Sequence, residues 1–420
     1  MPADRKHLKT DLCVIGGGPA GLFAAITALC NGSEAVLIEQ NTVACRKLMY
    51  TGGKRCNFTH IGSIPEFVRA YDFCGRFLRH SLHEFSPEHL RQYFAEQGLA
   101  SKVEKDGCVF PVTDRAGDVA RILTMHGRQL GVNFLYDKKV TSIEKDGDIF
   151  VVNTNLQTVT APTVIIATGG VTWPFTGSTG DGYKFAQAFG HTIIQPRSAL
   201  APLITAEHWP GKLAGVSVPL VTIKTVLPGG SKKRASGSLM FTKQGIGGSA
   251  PFDLSRFLTD FLPARNEPIA INVDLMTEYQ QIELENRIIE LCAQQPKKEL
   301  AGVLAQFLPR SLMLNLCQQA SPAKNILAGN LSKELRRQIV KLLKELPLSI
   351  TAAAPVADAT VTRGGIDTSE IDPRTMASKL CKNLFFAGEV INADGPCGGF
   401  NLQIAFSTGY LAGKSVANRS

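Results

Sequence analysis

The sequence predicts an α/β protein built around a parallel β-sheet. Three stretches predict it: strand, glycine turn, helix and strand over 10–40, an apolar strand ending in glycines at 163–170, and a strand, glycine turn and helix over 383–413. Short apolar strands alternating with helices are typical of a buried parallel sheet. The separation of these stretches predicts a Rossmann-like domain assembled from both ends of the chain.

The first stretch, "TDLCVIGGGPAGLFAAITALCNGSEAVLIEQ", contains glycines in GxGxxG spacing between the strand "LCVI" and the helix "LFAAITAL". One glycine permits the tight turn, one lets the backbone approach a pyrophosphate, and one lets the helix pack closely on the strand. The helix amino terminus offers free N–H groups and a partial positive charge to phosphates. We therefore predict a dinucleotide site that includes Gly16, Gly18, Pro19, Ala20 and Gly21.

The second strand, "AVLIE", ends in Glu39, which is followed by Gln40. An acidic residue at this distance from the glycines commonly accepts hydrogen bonds from ribose hydroxyls. The fingerprint fits NAD and FAD equally, so this unit alone does not distinguish the two cofactors.

The later stretches favour FAD. "TVIIATGG" places Thr168, Gly169 and Gly170 after a strand, and the carboxyl-terminal stretch places Gly388 and Glu389 after another. A chain that returns at its carboxyl end to complete the nucleotide domain is typical of FAD proteins of the glutathione-reductase superfamily. A second strand–GxGxxG–helix unit and a CxxxxC redox disulfide are absent from the sequence.

Length and composition set the wider expectations. The 420 residues predict two or three domains, and 44% hydrophobic with 19% charged residues is typical of a globular protein. The sequence has no membrane-spanning apolar stretch, and its amino terminus is polar, so we expect a cytoplasmic protein that does not bind a membrane. Ten cysteines without a CxxC pair give no reason to expect a metal. The oligomeric state is not indicated, and a monomer is our expectation.

The chain resembles the YhiN/BaiN-type, or HI0933-like, flavoproteins over nearly its whole length. The resemblance rests on "GGGPAGLFAA", "RKLMYTGGKRCNFT", "CVFPVTDRAGDVARIL", "ATGGVTWPFTGSTGDGYKFAQAFGH", "LAGVSVP", "TRGGIDTSEIDPRTMASK" and "FFAGEVINADGPCGGFNLQIAFSTG". It implies tightly bound FAD, a glutathione-reductase-type FAD domain in two parts at 1–195 and 355–420, and an inserted substrate domain at 196–354 with a β-barrel and helices.

The resemblance also implies that the loop "RKLMYTGGKRCN" runs along the flavin. Arg46 and Lys47 are then expected to meet FAD phosphate or ribose oxygens or, alternatively, to be surface charges. Gly52 and Gly53 would permit close backbone approach, and Asn57 would bind the flavin edge or nearby backbone. By analogy with the family, the stretch 140–143 would meet the adenine, with Val140 first.

Cys56 in this loop has three interpretations. It is a small buried residue beside the flavin, an acid that protonates a substrate carbon, or a thiol nucleophile. A thiol suits the acid role because Lys54 or Arg55 can tune its pKa toward neutrality. We predict it as a cofactor-binding residue and as the catalytic candidate.

The helix "NLQIAFSTGYLAG" follows a glycine pair and is predicted to direct its amino terminus at the N1–C2=O2 edge of the flavin. That edge gains negative charge on reduction, so the helix end would raise the reduction potential. Its predicted cofactor-binding residues are Asn401, Leu402, Gln403 and Ile404.

One segment departs from the family pattern. Lys243 in "LMFTKQGIGGSAPFDLS" stands where the family usually has His, so it would contact an anionic substrate or be solvated. The insert also carries the basic run 232–234 and the cations Lys333, Arg337, Lys341 and Lys344 along one helix face. That face is either a solvated surface or a phosphate-binding patch.

Three functions fit these observations. The first is NAD(P)H-driven reduction of an activated C=C bond, in uridine of ribosomal RNA, giving dihydrouridine, or in an enone-type small molecule. The second is oxidation of small amines, and the third is a non-catalytic FAD-binding module. The net charge of +9 favours RNA as the partner. NAD(P)H is expected to bind transiently.

Overall fold

A computed structural model describes residues 6–262, 267–323 and 325–417. The first five residues of the polar amino terminus lie outside these ranges. The chain divides into two compact units, one of Met1–Arg197 with Val356–Ser420 and the other of Ser198–Pro355. We call them the nucleotide unit and the inserted unit. Among the described residues, no helix is long and apolar enough to cross a membrane.

The strands and helices follow in chain order. The strands are β1 (Lys6–Lys9), β2 (Leu12–Ile15), β3 (Ala35–Ile38), β4 (Thr59–His60), β5 (Ser101–Val103), β6 (Cys108–Pro111), β7 (Asn133–Leu135), β8 (Val140–Asp146), β9 (Ile149–Thr154), β10 (Gln157–Ala161), β11 (Thr163–Ile166), β12 (Ile193–Ala199), β13 (Leu203–Thr205), β14 (Ser217–Val226), β15 (Lys232–Thr242), β16 (Gly245–Gly247), β17 (Ile269–Asp274), β18 (Leu346–Ala353), β19 (Val361–Ile366) and β20 (Leu384–Phe386). The helices are α1 (Pro19–Cys30), α2 (Ile64–Ala70), α3 (Gly75–Glu84), α4 (Pro87–Glu96), α5 (Ala116–Leu130), α6 (Asp181–Ala188), α7 (Ser249–Leu258), α8 (Gln281–Gln294), α9 (Leu300–Leu304), α10 (Arg310–Ala320), α11 (Lys333–Lys344) and α12 (Phe400–Ala417).

A five-stranded sheet in the order β20-β11-β2-β3-β7 forms the centre of the nucleotide unit, and its strand pairs are parallel. The residues of β2 and β3 are buried on both faces, which explains their uninterrupted apolar sequences. Strand β20 pairs with β11, so the carboxyl-terminal stretch completes the sheet that the first stretch begins. The predicted assembly from both ends of the chain is confirmed.

Helix α12 packs closely on α1 within this unit. A Cβ atom on Gly409 would lie 2.4 Å from Ala20 O, and one on Gly413 would lie 2.3 Å from Ala24 O. The two glycines therefore let the helix backbones approach, which fixes the amino end of α12 relative to the turn before α1.

The inserted unit contains a closed barrel in the order β13-β16-β15-β14-β17-β18, together with helices α7 to α11. Residues with alternating burial along β17, such as Ile269, Ile271 and Val273, point into the core, while Ala270 and Asn272 are exposed. The predicted barrel with helices is confirmed.

Candidate cofactor-binding and active site

Most of the predicted site residues follow the carboxyl ends of four neighbouring parallel strands, β2, β3, β11 and β20. Because these ends lie at one edge of the sheet, the loops that follow them come together there. The residues in these loops and at the start of α1 are Gly16, Gly18, Pro19, Ala20, Gly21, Glu39, Gln40, Thr168, Gly169, Gly170, Gly388 and Glu389.

The three fingerprint glycines differ in what surrounds them. A Cβ atom on Gly16 would lie 2.4 Å from Ala167 O, and one on Gly21 would lie 2.0 Å from Gly16 O. A Cβ atom on Gly18 would meet none of the described atoms within 4 Å. Gly16 and Gly21 are therefore required by the packing of the fold, whereas Gly18 faces open space.

That open space lies at the amino terminus of α1, where Gly18 is the N-cap and Pro19 begins the helix. The N–H of Leu22 makes the first hydrogen bond of the helix, to Gly18 O at 2.9 Å. The N–H groups of Ala20 and Gly21 precede this bond and are free to bind an anion. This end of α1 has the chemistry of a phosphate site.

Glu39 joins the loops after β2 and β3. Its buried carboxylate accepts hydrogen bonds from the N–H of Gly17 at 2.8 Å and from the backbone and side chain of Asn41 at 2.8 and 2.7 Å. Burial raises the pKa of Glu39, and these hydrogen bonds partly oppose that effect. Both Asn41 bonds end on Oε1, whereas Oε2 accepts only the Gly17 bond and can therefore also accept from a ribose hydroxyl. The neighbouring Gln40 donates to Gly177 O.

Lys47 and Glu389 form an ion pair at this edge of the sheet. Lys47 Nζ lies 2.7 Å from Glu389 Oε2 and 2.6 Å from Thr172 Oγ1. The other oxygen of Glu389 accepts from the N–H of Thr362 at 2.8 Å. A phosphate contact by Lys47 would have to compete with these partners, so its described role is to hold the loops together.

The remaining residues of the predicted flavin loop lie over 46–57. Arg46 is exposed and donates to Asn41 Oδ1 at 2.8 Å. Gly53 has a φ of +66°, which favours glycine, and the space around it is open among the described residues. Asn57 Oδ1 accepts from the N–H of Val109 at 3.2 Å, which is the backbone alternative among its predicted contacts.

Cys56 is fully buried in the core of the nucleotide unit. Burial raises the pKa of its thiol to about 12. The expectation that Lys54 or Arg55 lowers this pKa is therefore wrong, because Arg55 pairs with Glu104 and Asp114 instead. A buried, protonated thiol favours the first of the three interpretations, that of a packing residue.

Thr168, Gly169 and Gly170 follow β11. A Cβ atom on Gly182 would lie 2.0 Å from Thr168 Oγ1, so this buried hydroxyl faces the first turn of α6. It has no hydrogen-bond partner within the described ranges. Gly169 has a φ of +76°, and a Cβ atom on Gly170 would lie 2.1 Å from Thr362 Oγ1. The last two residues need to be glycine for conformation and for packing.

The first turn of α12 differs in part from the prediction, because the helix begins at Phe400. The N–H of Gln403 donates to Gly399 O, and its buried side chain bonds Thr59, Phe85 and Ser407. These partners use the polar groups of Gln403 for the fold, and Ile404 is buried. The N–H groups of Asn401 and Leu402 precede the first helical bond, so they are the groups available to a cofactor.

Three further residues named from the sequence belong to other segments of the chain. Val140 begins β8 in the sheet β1-β10-β9-β8 and pairs with Thr154. Trp173 is half-buried, with its ring centroid 6.5 Å from that of the exposed Tyr50. In the inserted unit, Lys243 is exposed at the turn between β15 and β16, as the solvated alternative expects.

Several residues that build this site were not predicted from the sequence. Gly17 donates to Glu39, and Thr172 and Thr362 both bond Glu389. Arg363 forms an ion pair of 3.0 Å with the fully buried Asp394. Their positions could have been noticed, because the quoted family motifs include "ATGGVTWP" with Thr172, "TRGGID" with Thr362 and Arg363, and "NADG" with Asp394.

These residues fit FAD. The sheet and the α1–α12 packing bring three groups together: the open amino terminus of α1, the Oε2 atom of Glu39 with one unused lone pair, and the open amino terminus of α12. They match the needs of a pyrophosphate, a ribose and the electron-rich flavin edge, respectively.

Comparison with known proteins agrees with this fit. A 3-dehydro-bile acid delta(4,6)-reductase from Clostridium scindens is 29% identical over 411 residues, covering 97% of this chain and 98% of the relative. A ribosomal RNA dihydrouridine synthase from Haemophilus influenzae is 28% identical over 412 residues, with the same coverage.

Among solved structures, a 3-ketosteroid-delta4-(5alpha)-dehydrogenase from Rhodococcus jostii RHA1 is similar with a TM-score of 0.53 and 15% identity. The match covers 99% of this chain and 98% of that one, and it shows the fold alone. The family model described as the HI0933-like protein Rossmann domain matches residues 10–415. Because this match spans nearly the whole chain, the protein belongs to the HI0933-like family of FAD-dependent oxidoreductases.

Proposed function

We propose that this protein reduces a C=C bond conjugated to a carbonyl group, with NAD(P)H as the reductant and uridine in ribosomal RNA as the substrate. Support for the reaction class comes from the two relatives, whose names describe a reductase of a 3-oxo steroid acid and a synthase of dihydrouridine. Dihydrouridine is uridine whose C5=C6 bond, conjugated to a carbonyl, has been saturated. One chemistry therefore serves both substrates.

The nucleotide unit, predicted as 1–195 and 355–420, is proposed to hold FAD. Bound FAD would supply the two-electron chemistry, with electrons from NAD(P)H passed as a hydride to one carbon of the C=C bond while a proton from solvent adds to the other carbon. The end of α1 near Gly18 binds the pyrophosphate and Glu39 binds a ribose. The N–H groups of Asn401 and Leu402 stabilise negative charge on the flavin edge. The insert, predicted as 196–354, selects the substrate.

NAD(P)H is proposed to bind transiently. The sequence contains one strand–GxGxxG–helix unit, so a second nucleotide domain of that type is not available to hold the reductant. It would have to reach the flavin from the substrate side and leave before the substrate arrives.

The observation that carries the choice of RNA is the positive charge of the chain. The net charge is +9, and the inserted unit exposes Lys232, Arg234, Lys333, Arg337 and Lys341. A protein that binds RNA must offset phosphate charge, whereas a reductase of free small molecules has no such need. The uridine would have to be unpaired or turned out of its stack to reach the flavin.

A free enone is the second candidate substrate, and the bile acid reductase favours it. The bile acid reductase is 29% identical to this chain and the RNA dihydrouridine synthase is 28% identical, so sequence identity does not distinguish the two substrates. Direct comparison of the two substrates with one enzyme preparation is therefore required.

Cys56 is proposed to pack in the flavin loop rather than to donate the proton. A thiol whose pKa is about 12 is a weak acid at neutral pH, and its side chain is fully buried. If this is correct, Cys56→Ala retains most of the activity.

The experiment is mass-spectrometric mapping of dihydrouridine in ribosomal RNA from a strain that lacks the gene. We expect one or more dihydrouridines to disappear and to return with either the unaltered gene or a Cys56→Ala copy. An unchanged profile in the deletion strain would overturn the RNA substrate. Rescue by the unaltered gene but not by a folded Cys56→Ala protein would assign the proton donor role to the thiol.

A further inference from the structure

The outer face of the barrel strands β14, β15 and β17 carries three cations and an asparagine in adjacent positions. Lys224 on β14 pairs in register with Arg234 on β15, and Val226 pairs with Lys232. On the other side of β14, Lys224 pairs with Asn272 of β17. All five side chains are exposed, while Ile223 between them points into the barrel core. We call Lys224, Lys232, Arg234 and Asn272 the barrel cation face.

This arrangement is unfavourable for the barrel alone. Residues directly opposite in antiparallel strands have Cβ atoms about 4.5–5.5 Å apart, and like charges in such a pair destabilise the sheet. Lys224 and Arg234 form this kind of pair. Within the described ranges, neither they nor Lys232 forms an ion pair with a carboxylate that would offset the repulsion.

The face lines a cavity of about 670 Å³ whose described lining contains no acidic residue. Its other walls include Val226, Pro228 and Ala270, which give it an apolar surface beside the charges. The neighbouring cations can each bind a phosphate, and the apolar surface can contact the less polar groups between phosphates. The cavity therefore fits a ligand with several linked phosphates.

We propose that the barrel cation face binds the sugar–phosphate backbone of RNA, as a docking surface for the substrate. Lys224, Lys232 and Arg234 contact phosphates, and Asn272 hydrogen-bonds a neighbouring oxygen of the same strand. The choice of RNA as the polyanion rests on the proposed function. The face itself is inferred from its charge, its strand register and its cavity.

The test compares two triple variants of the FAD-loaded protein. Lys224→Gln/Lys232→Gln/Arg234→Gln removes three charges from the face, and Lys333→Gln/Arg337→Gln/Lys341→Gln removes three exposed charges from α11 of the same unit. The probe is a fluorescein-labelled, single-stranded RNA, and its affinity is measured by anisotropy over a series of KCl concentrations.

Log affinity falls as log salt rises, and each phosphate of a single strand that the protein neutralises adds about 0.7 to the steepness of this fall. We therefore expect the slope of the face variant to be less steep by about 2. The α11 variant, whose cations are not among the residues that line the cavity, should reduce the slope by at most about 0.7, the contribution of one phosphate. Equal reductions of the slope in both variants, or an unchanged slope in the face variant, would overturn the proposal. So would a raised KM for NADPH in flavin reduction by the face variant, since the face would then bind the reductant.

A separate outcome concerns the proposed function. If the face variant loses RNA affinity as expected but the unaltered enzyme leaves the uridines of bound RNA intact, the docking surface stands and the dihydrouridine reaction fails. If the enzyme makes dihydrouridine while both triple variants bind RNA alike, the reaction stands and the docking surface fails.

Discussion

Lys47 and Glu389, separated by 342 positions in the chain, form an ion pair with an N–O distance of 2.7 Å. The pair joins the segment after β3 to the loop after β20, the two parts of the nucleotide unit that the insert separates in sequence. Thr172 bonds both side chains and the N–H of Thr362 bonds Glu389, so four segments meet at one carboxylate.

The first prediction concerns this carboxylate. Glu389→Ala leaves the Lys47 ammonium and the Thr362 N–H without their acceptor, which should cost about 1–3 kcal/mol. The measurement is the midpoint of thermal unfolding of the cofactor-free protein. Glu389→Gln is the control, because it keeps an acceptor for Thr362 and should cost less. An alanine variant as stable as the unaltered protein would contradict the role given to the pair.

The second prediction separates cofactor approach from packing at the glycine turn. Gly18→Ala adds a methyl group that meets no described atom, so the fold should tolerate it. The methyl group enters the space assigned to the pyrophosphate and should weaken FAD binding about tenfold or more, equivalent to about 1.4 kcal/mol. The measurement is FAD titration of the cofactor-free protein.

Gly117→Ala is the matched control for this experiment. Gly117 lies in the first turn of α5 and, like Gly18, has open space at its Cβ position. The Gly117→Ala protein should bind FAD with the same affinity as the unaltered protein. Equal FAD affinity in the Gly18 and Gly117 variants would place the pyrophosphate elsewhere.

The third prediction is a pH dependence of stability due to Glu39. Burial raises its pKa in the folded state, so the folded protein holds this proton more tightly than the unfolded chain does. Protonated Glu39 stabilises the folded protein fully when the pH is below the pKa of Glu39 in the unfolded chain, near 4.5. This stabilisation is lost as the pH rises through the higher pKa of Glu39 in the folded protein. The unaltered cofactor-free protein should therefore lose stability relative to Glu39→Gln between pH 4.5 and neutrality. A relative gain over that interval would have the wrong sign.

The fourth prediction concerns Lys344, which the sequence analysis grouped with the exposed cations of α11. Lys344 Nζ lies 2.8 Å from Asp274 Oδ2 and also donates to Met276 O and Tyr279 O, and both ionic side chains are less than one-fifth exposed. Lys344→Ala should therefore cost about 1–3 kcal/mol of stability. Lys341→Ala, on the exposed side, should change stability by less than about 0.5 kcal/mol. Urea unfolding monitored by circular dichroism distinguishes them.

The sequence was informative where the deciding interactions are local. The glycine spacing of 16–21 and the burial of "LCVI" are consequences of one turn and one strand, so they could be predicted from a short window. The amphipathic pattern of 331–347 likewise predicted a helix, which the structure has at Lys333–Lys344.

The sequence was less informative where partners come from distant parts of the chain. Helical spacing placed Lys344 with Lys341, but Asp274 at the end of β17 determines its role. Gln403 was expected to face the cofactor, and contacts with Thr59 and Phe85 use its side chain instead. Cys56 has basic neighbours in sequence, yet its thiol is fully buried and Arg55 pairs with Glu104 and Asp114. A single sequence does not contain these tertiary pairings.

The most direct test of the proposed reaction is anaerobic reoxidation of the reduced enzyme. The FAD-loaded protein is reduced with dithionite and mixed with unmodified ribosomal RNA, and absorbance near 450 nm is followed with time. A matched RNA in which the target uridine is already dihydrouridine lacks the C5=C6 bond and serves as the control. We predict that absorbance returns with the uridine RNA, with one dihydrouridine formed per flavin, and does not return with the control. Reoxidation at the same rate by both RNAs, or by neither, would contradict it.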